Sequence, residues 1–278
     1  MAGFLSELCS VDKVIIGGVH LLPLPGTPDY DLSGGMEKIY RRAREDVLRL
    51  SEARVDAILF ANESDAPYQT KVGAEIVAAM TYCIGRLKGE LAVPFGINML
   101  LDPLAGIAVA HATGGKFVRG YYTGGYVGDM GIMNTCGPEA ARFRKALGAE
   151  DVRFITNLTC AFGVPLAQRD LTATAYGAVV HGRVDALAVS GPAAGFEADR
   201  EALAAVRRAV ADIPVLVGTG VSLENVRDML AVADGAIVAS ALKVDGVTLN
   251  PVDGERAKRF MAAVRAFREE VGSSGKAS

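Results

Sequence analysis

The chain has 278 residues, of which 50% are hydrophobic and 22% charged, enough for one large α/β domain or two smaller ones. Its net charge of −3 and the absence of a long basic run argue against nucleic-acid binding. The four cysteines lie far apart without a CxxC pair, which favours reduced thiols over a disulfide framework or a zinc cluster.

The first twelve residues carry two acids and no early basic region, unlike a signal peptide. No stretch approaches the ~18 consecutive apolar residues of a membrane span, so any membrane contact would be peripheral. These features predict a cytoplasmic globular protein.

Short apolar runs alternate with amphipathic stretches along the whole chain. Met36, Ile39, Ala43 and Val47, for example, recur at helical spacing before the next apolar run begins. The apolar runs predict eight strands, at 14–19, 56–61, 92–97, 116–119, 152–156, 185–189, 214–218 and 235–239. Such continuous runs are typical of a parallel sheet covered on both faces. Eight β/α units in a chain of this length predict an α/β fold, a single-domain (β/α)8 TIM barrel.

The predicted barrel domain spans residues 1–271 and ends in a helix around 251–271. The small polar tail, 272–278, is expected to be disordered. Within the domain, Asp56, Asp185 and Asp234 each stand where a helix ends and an apolar strand begins. Their recurrence at this join predicts a structural role.

In a TIM barrel the active site lies where the strands end and the βα loops begin. Nearly every predicted strand here ends on a side chain that can form hydrogen bonds, whereas the opposite strand ends carry ordinary solvated or capping residues. This asymmetry favours an enzyme. The substrate-binding candidates are Asn62, Asn98, Arg119, Asn157 and Ser190.

The last quarter of the chain contains "VLVGTGVSLENV" (215–226) and "DGAIVASALKVDG" (234–246). Glycines let the backbone approach a ligand closely, and helix starts offer free N–H groups to an anion. The loops after strands 7 and 8 are also the frequent phosphate site of TIM barrels. We therefore predict a phosphate site, with a tight turn as the alternative, at Gly218, Thr219, Gly220, Ala239 and Ser240.

Two acids, Glu63 and Asp65, follow the second strand in "FANESDAPYQTKVG" (60–73). Two carboxylates in different environments differ in pKa, which suits acid–base chemistry. The alternatives are a solvated acidic loop and a cap for the following helix.

Of the three histidines, only His20 lies at the end of a predicted strand, whereas His111 and His181 fall in helical stretches and are expected to be structural. An imidazole at a strand end is suited to acid–base work, and the prolines that follow stiffen the first loop. We predict that His20 shares proton transfer with Glu63 across the mouth of the barrel. A core histidine bonded to backbone is the alternative.

The fourth loop, residues 119–140, is long and rich in glycine, with three tyrosines and Asp129 near its middle. Long loops in compact domains are commonly lids or binding loops. We predict that residues 121–135 are mobile without ligand and close over the mouth with it; a packed insertion is the alternative. Asp129 and Asp65 are the further catalytic candidates.

Several absences narrow the chemistry. No lysine ends a strand on the site face, since Lys243 lies three residues into the last loop, and a Schiff-base aldolase is therefore disfavoured. No GxGxxG or P-loop pattern occurs, so no organic cofactor is predicted. One histidine and two nearby acids form a weak metal signal; no metal site is predicted, and a divalent ion stays open.

A series of motifs, in order, resembles one known family: "VHLLPLPGTPDY", "ESDAPY", "FGINMLLDP", "TGGYVGDMGIM", "IPVLVGTGVSLENV" and "ADGAIVASALKVDG" with "NPVD". The chain resembles the BtpA/SgcQ family from about residue 11 to 268. The resemblance implies a ribulose-phosphate-binding type of TIM barrel. It also implies a family named for photosystem I biogenesis, with some relatives resembling parts of sugar-utilisation gene clusters.

The chain departs from the pattern of that family at three places. "TNLTCAFG" (156–163) replaces a segment with an Asp and a Lys-His pair, so Asn157 is neutral. Gly120 and Tyr121 replace an Asn-containing end of strand 4, and Ala239 stands where a glycine is usual. Roles that depend on those groups do not carry over to this chain.

Two functions follow. The first is an enzyme that acts on a small phosphorylated, sugar- or nucleotide-like metabolite as an isomerase, epimerase or lyase. The second is a non-catalytic assembly or regulatory factor related to photosystem I biogenesis. Polar groups at the strand ends favour the first, and the family name favours the second. A homo-oligomer is also predicted, whereas the substrate and the direction of reaction are not.

Overall fold

A computed structural model describes residues 3–191 and 196–274 of the chain. The described strands are β1 Val14–His20, β2 Ala57–Ala61, β3 Phe95–Asn98, β4 Phe117–Gly120, β5 Gly125–Gly128, β6 Gly131–Asn134, β7 Arg153–Asn157, β8 Gly163–Pro165, β9 Ala186–Val189, β10 Val215–Val217 and β11 Gly235–Val238. Eight of them, β1–β4, β7 and β9–β11, form a closed barrel. Every pair in the barrel is parallel, and β11 closes onto β1. The predicted TIM barrel is confirmed.

Helices pack around this barrel and, in the case of α1, against one end of it. They are α1 Phe4–Cys9, α2 Gly35–Ala53, α3 Ala74–Leu87, α4 Pro103–Thr113, α5 Gly137–Ala146, α6 Leu171–Gly182, α7 Arg200–Ala209, α8 Val226–Val232 and α9 Gly254–Ser274. The last helix thus continues three residues past the predicted boundary at 271, and residues 275–278 of the predicted tail lie outside the described residues. His111 and His181 lie in the last turns of α4 and α6, as predicted.

Two apolar layers hold the barrel together. The outer layer lies between the strands and the helices and includes Val47 and Leu50 of α2. The inner layer fills the barrel itself and includes Ile16, Phe117 and Leu5. Leu5 belongs to α1, which the sequence analysis did not predict, and its side chain is only 2% exposed. We infer that α1 fills the end of the barrel opposite the strand ends that carry the site.

The three aspartates at the helix–strand joins share one structural role. Asp56 accepts the N–H of Ile15 at 2.7 Å, which ties the start of β2 to β1. Asp185 accepts the N–H of Phe154 at 2.8 Å, and Asp234 accepts that of Val215 at 2.9 Å, each on the neighbouring strand. An arginine from a helix pairs with each of the three carboxylates. The predicted structural role is confirmed.

The long fourth loop is not irregular. Its strands β5 and β6 form an antiparallel hairpin, and β8 from the following loop adds a third strand. These four- and three-residue, glycine-rich strands carry little periodic signal, which explains why they were missed. The inner face of the sheet carries Tyr126, whose ring packs 5.4 Å from that of Tyr121. Mobility of residues 121–135 and closure over the mouth stay a prediction.

Candidate active site

A cavity of about 730 Å³ opens at the C-terminal ends of the barrel strands, where the site was predicted. Nine of the fourteen predicted site residues line it: His20, Glu63, Asn98, Arg119, Gly218, Thr219, Gly220, Ala239 and Ser240. Five do not: Asn62, Asp65, Asp129, Asn157 and Ser190. The fold therefore brings together side chains and backbone from six strand ends.

One half of the cavity is built from backbone. Among the described residues, the amides of Gly220, Val221, Ser240 and Ala241 have no hydrogen-bond acceptor. Gly220 has a φ of 75°, and a Cβ there would lie 2.0 Å from the carbonyl oxygen of Phe196. A glycine is therefore required at this turn. These free N–H groups on two adjacent loops can receive an oxyanion.

Two arginines on α9 line the same cavity as these amides, and they were not among the predicted site residues; Nε of Arg256 donates to the Ala241 carbonyl at 3.3 Å. Arg256 and Arg259 both line the cavity. They lie in the first two turns of the last helix, one turn apart. The signal that could have identified them is their i, i+3 spacing just after the predicted phosphate loop. Two guanidinium groups and free amides in one cavity make it suited to a phosphate.

A second missed residue, Thr248, orients His20 and Ser240. The Thr248 carbonyl lies 3.0 Å from Nδ1 of His20, and the Thr248 hydroxyl lies 2.9 Å from the Ser240 hydroxyl. Because a carbonyl only accepts, Nδ1 of His20 carries the proton. No sequence pattern links residues that lie 228 positions apart.

His20 is neutral. Its burial lowers its pKa to about 3, and the charge of Lys243 adds to the effect. With the proton on Nδ1, Nε2 is an unprotonated acceptor, and it lies close to Gly18 on the cavity floor. The sequence alone did not determine whether the pKa of His20 is raised or lowered. His20 and Glu63 line the same cavity but form no hydrogen bond with each other.

Glu63 is the carboxylate that a barrel strand end brings to the cavity, which Glu224 also lines. Burial raises the pKa of Glu63, and the charge of Arg119 offsets part of that effect. Its backbone is held because its carbonyl accepts the Tyr68 hydroxyl at 2.9 Å. The side chain has no hydrogen-bond partner among the described residues. A carboxylate with a raised pKa and open oxygens is suited to accept a proton from a ligand.

Arg119 is the cation at the bottom of the cavity. Its Nε donates to Oδ1 of Asn157 at 2.9 Å, and Nη2 reaches the Gly218 carbonyl at 3.4 Å. Burial lowers its pKa while Tyr121 and Glu63 raise it, and a guanidinium stays protonated throughout. Arg119 and Glu63 influence each other electrostatically without forming an ion pair. Asn157 thus orients the Arg119 guanidinium and does not itself line the cavity.

Asn62 and Asp65 join three loops. The Asp65 carboxylate accepts the N–H of Leu24 at 2.9 Å and the side-chain amide of Asn62 at 3.0 Å. The Asn62 oxygen in turn accepts the N–H of Leu100 at 2.7 Å. Burial raises the pKa of Asp65, and these bonds lower it. Both side chains hold the first three βα loops in place.

The remaining candidates lie away from the ligand space. Asp129 is exposed in the turn between β5 and β6, and its N–H donates to the Phe162 carbonyl. The N–H of Ser190 donates to Thr159 at 2.9 Å, and its hydroxyl lies behind Gly218. Lys243 is buried, with its ammonium 3.3 Å from Asp46. Burial lowers the pKa of Lys243, which faces Asp46 rather than the cavity.

Two further observations concern ligands and membranes. Within residues 3–191 and 196–274, no three His, Cys, Asp or Glu side chains are grouped so as to hold a metal ion. In the same part of the chain, no helix has the length and apolar character needed to cross a membrane.

A sequence model of the BtpA family matches residues 11–266. The chain belongs to the BtpA family. It is 40% identical to the sgc region protein SgcQ of Escherichia coli K12, over 95% of this chain and 99% of that protein. It is 32% identical to the photosystem I biogenesis protein BtpA of Synechocystis sp., over 90% of this chain and 87% of that protein.

A solved structure supports the fold. Thiamine phosphate pyrophosphorylase from Pyrococcus furiosus matches with a TM-score of 0.56 and 16% identity, over 97% of this chain and 99% of that chain. At this identity the likeness concerns the barrel alone. Of the positions noted as departures from the BtpA pattern, Ala239 lines the cavity, whereas Asn157 lies outside its lining and contacts Arg119.

Proposed function

We propose that this member of the BtpA family is an enzyme that acts on a small phosphorylated, sugar- or nucleotide-like metabolite. The reaction is an isomerisation, epimerisation or lyase step that begins with proton abstraction. The observation that carries the proposal is the pairing, in one cavity, of an anion-binding half with a carboxylate of raised pKa, Glu63.

The phosphate binds between Gly220 and Ser240. Free backbone N–H groups at both loops donate to its oxygens, and Arg256 and Arg259 supply positive charge from α9. Thr219 contributes through its backbone, since its hydroxyl is already occupied by the Gly191 N–H at 3.2 Å.

Glu63 is the base. Burial raises its pKa, which makes it a stronger proton acceptor than an ordinary carboxylate. His20 is too weak a base for this step at a pKa of about 3. Its Nε2 instead accepts a hydrogen bond from a substrate hydroxyl, and this bond orients the substrate against Glu63.

The alternative is a non-catalytic factor, and the name of the Synechocystis relative favours it. A scaffold has no need of a half-buried carboxylate without a partner, because such a group costs stability. The catalytic proposal explains why Glu63 is present and unpaired.

A thermal-shift screen separates the two proposals. Inorganic phosphate and a panel of sugar phosphates and nucleotides are tested on the wild type, Arg259→Met and Arg208→Met. Arg208 is an exposed arginine on α7, away from the cavity, and serves as the control. We expect stabilisation that Arg259→Met weakens and Arg208→Met keeps. No stabilisation by any phosphorylated compound would contradict the proposal and favour the scaffold.

A further inference from the structure

Arg119 and Glu63 present an unusual arrangement: two opposite charges in one cavity that do not pair. Each shifts the pKa of the other, so they are near enough to interact. Ion-pair contact between them is nevertheless absent. A charged group that is removed from bulk water is normally stabilised by a direct partner. Here the Arg119 guanidinium and the Glu63 carboxylate do not pair, and each keeps hydrogen-bonding positions for a ligand in the cavity.

The hydrogen-bond partner of Arg119 is a neutral side chain. Nε is bound by the amide oxygen of Asn157, which is neutral, and Nη2 makes only a long contact of 3.4 Å to the Gly218 carbonyl. The charge of the guanidinium is therefore uncompensated by its nearest neighbour. The guanidinium has N–H donors left for a planar group with two oxygens, and arginine binds such groups best because two parallel hydrogen bonds can form.

We propose that Arg119 binds an oxygen function at the end of the substrate opposite the phosphate, a carboxylate or a carbonyl that becomes an enolate. The proposal rests on the function proposed above. The substrate class is then a short polyhydroxylated chain with a phosphate at one end and a carbonyl or carboxylate at the other.

The chemistry balances without another reactant. Glu63 takes the proton from the carbon next to the carbonyl, the C–H electron pair forms a C=C bond, and the C=O π pair moves onto oxygen. The resulting enolate oxygen is held by Arg119. Protonated Glu63 then returns its proton to carbon. In a lyase, Glu63 instead takes the proton of the β-hydroxyl, the O–H electron pair forms the C=O bond of the leaving aldehyde, and the pair of the broken C–C bond forms the C=C bond of the same enolate, which protonated Glu63 then protonates on carbon.

The test uses stable acids as probes. Binding of 2-phosphoglycolate, 3-phosphoglycerate, 4-phosphoerythronate and 5-phosphoarabinonate is measured by calorimetry. Each acid is compared with the polyol phosphate of the same length, which carries a CH₂OH group in place of the carboxylate. For at least one length, we expect the acid to bind about 10- to 100-fold more tightly, the range of a charge-assisted bidentate contact.

Two variants test whether Arg119 causes the tighter binding of the acids. Arg119→Met removes the cation, and Asn157→Asp places a carboxylate against it with almost no change of shape. Both should reduce the preference for the acid to less than about 3-fold while binding of the polyol phosphate remains. Asn134→Asp, an exposed position in β6, adds the same charge elsewhere and should leave the preference intact.

The outcomes are distinct. If polyol phosphates bind and the acids bind no better at any length, the role of Arg119 is wrong and the phosphate site stands. A preference that persists in both Arg119→Met and Asn157→Asp, with their melting cooperative, also overturns it. If no phosphorylated compound binds the wild type, the proposed function fails and this inference fails with it.

Discussion

Arg119 donates through Nε to the side-chain oxygen of Asn157 at 2.9 Å, so a neutral amide orients the cation at the bottom of the cavity. An aspartate at position 157 would form an ion pair with the guanidinium, which would then no longer attract an anionic ligand. The asparagine keeps the same geometry and leaves the charge available. We therefore expect position 157 to determine whether this cavity attracts a second oxyanion.

Replacing Glu63 by Gln should lower turnover by about 10²–10⁴-fold once a substrate is known, because the general base is lost. It should also raise the melting temperature. Since the folded-state pKa of Glu63 lies above the unfolded one, the folded form loses stability as pH rises through that pKa. Glutamine carries no charge, so the gain should be larger at pH 8 than at pH 4.5.

Melting curves at both pH values and steady-state kinetics check this pair of effects. Glu269→Gln on α9 is the control, since Glu269 is exposed and far along the helix. Near-wild-type turnover in Glu63→Gln would end the assignment of the base.

The His20 pKa predicts a specific pH dependence of stability. Its folded-state pKa of about 3 lies below the ordinary value of 6.5, so only the unfolded chain takes up the proton between these values. The stabilising term is complete above pH 6.5 and is lost as pH falls toward 3, at about 1.4 kcal/mol per pH unit. His20→Asn removes this term. Urea unfolding of both proteins at pH 6.5 and 4.5 measures it; equal pH slopes would contradict the burial of a neutral imidazole.

Gly220 is a structural as well as a ligand-facing glycine. Gly220→Ala combines a φ of 75° with a Cβ placed 2.0 Å from the Phe196 carbonyl, so the loops that carry Phe196 and Gly220 must move apart. Gly131→Ala has the same φ of 75° and no atom within 4 Å, and it isolates the backbone cost, about 1 kcal/mol. We expect a clearly larger loss of unfolding free energy for Gly220→Ala. Equal losses would show that the loop accommodates the methyl group.

Asp65 should prove structural. Asp65→Asn keeps an acceptor for Leu24 but turns an amide toward the amide of Asn62, where two donors meet. We expect a loss of about 1–3 kcal/mol in unfolding free energy, the cost of an unsatisfied buried polar group. Asp129→Asn, in the exposed hairpin turn, should leave both stability and turnover unchanged. Denaturant unfolding compares the two; an unaffected Asp65→Asn would remove its role in joining the loops.

Local patterns determined most of the barrel. Seven apolar runs gave strands within about two residues of their ends, whereas the run at 92–97 became Phe95–Asn98, three residues later at its start. Pro94 explains part of this shift, because proline lacks the N–H that a strand interior donates. The glycine at 220 carried part of its information locally, since a φ of 75° favours glycine, whereas the close approach of Phe196 depends on another loop.

The sequence by itself determined the parallel barrel, the face that carries the site and the residues at its strand ends, because periodicity and turn chemistry act over a few neighbouring residues. Only the tertiary structure decided which of those residues face the ligand space. It brought Arg256 and Arg259 into the cavity that Ser240 lines, turned Asn62 and Asp65 toward neighbouring loops and fixed the proton of His20 through Thr248. These outcomes depend on contacts between distant parts of the chain, where burial and charge, rather than local pattern, set the chemistry.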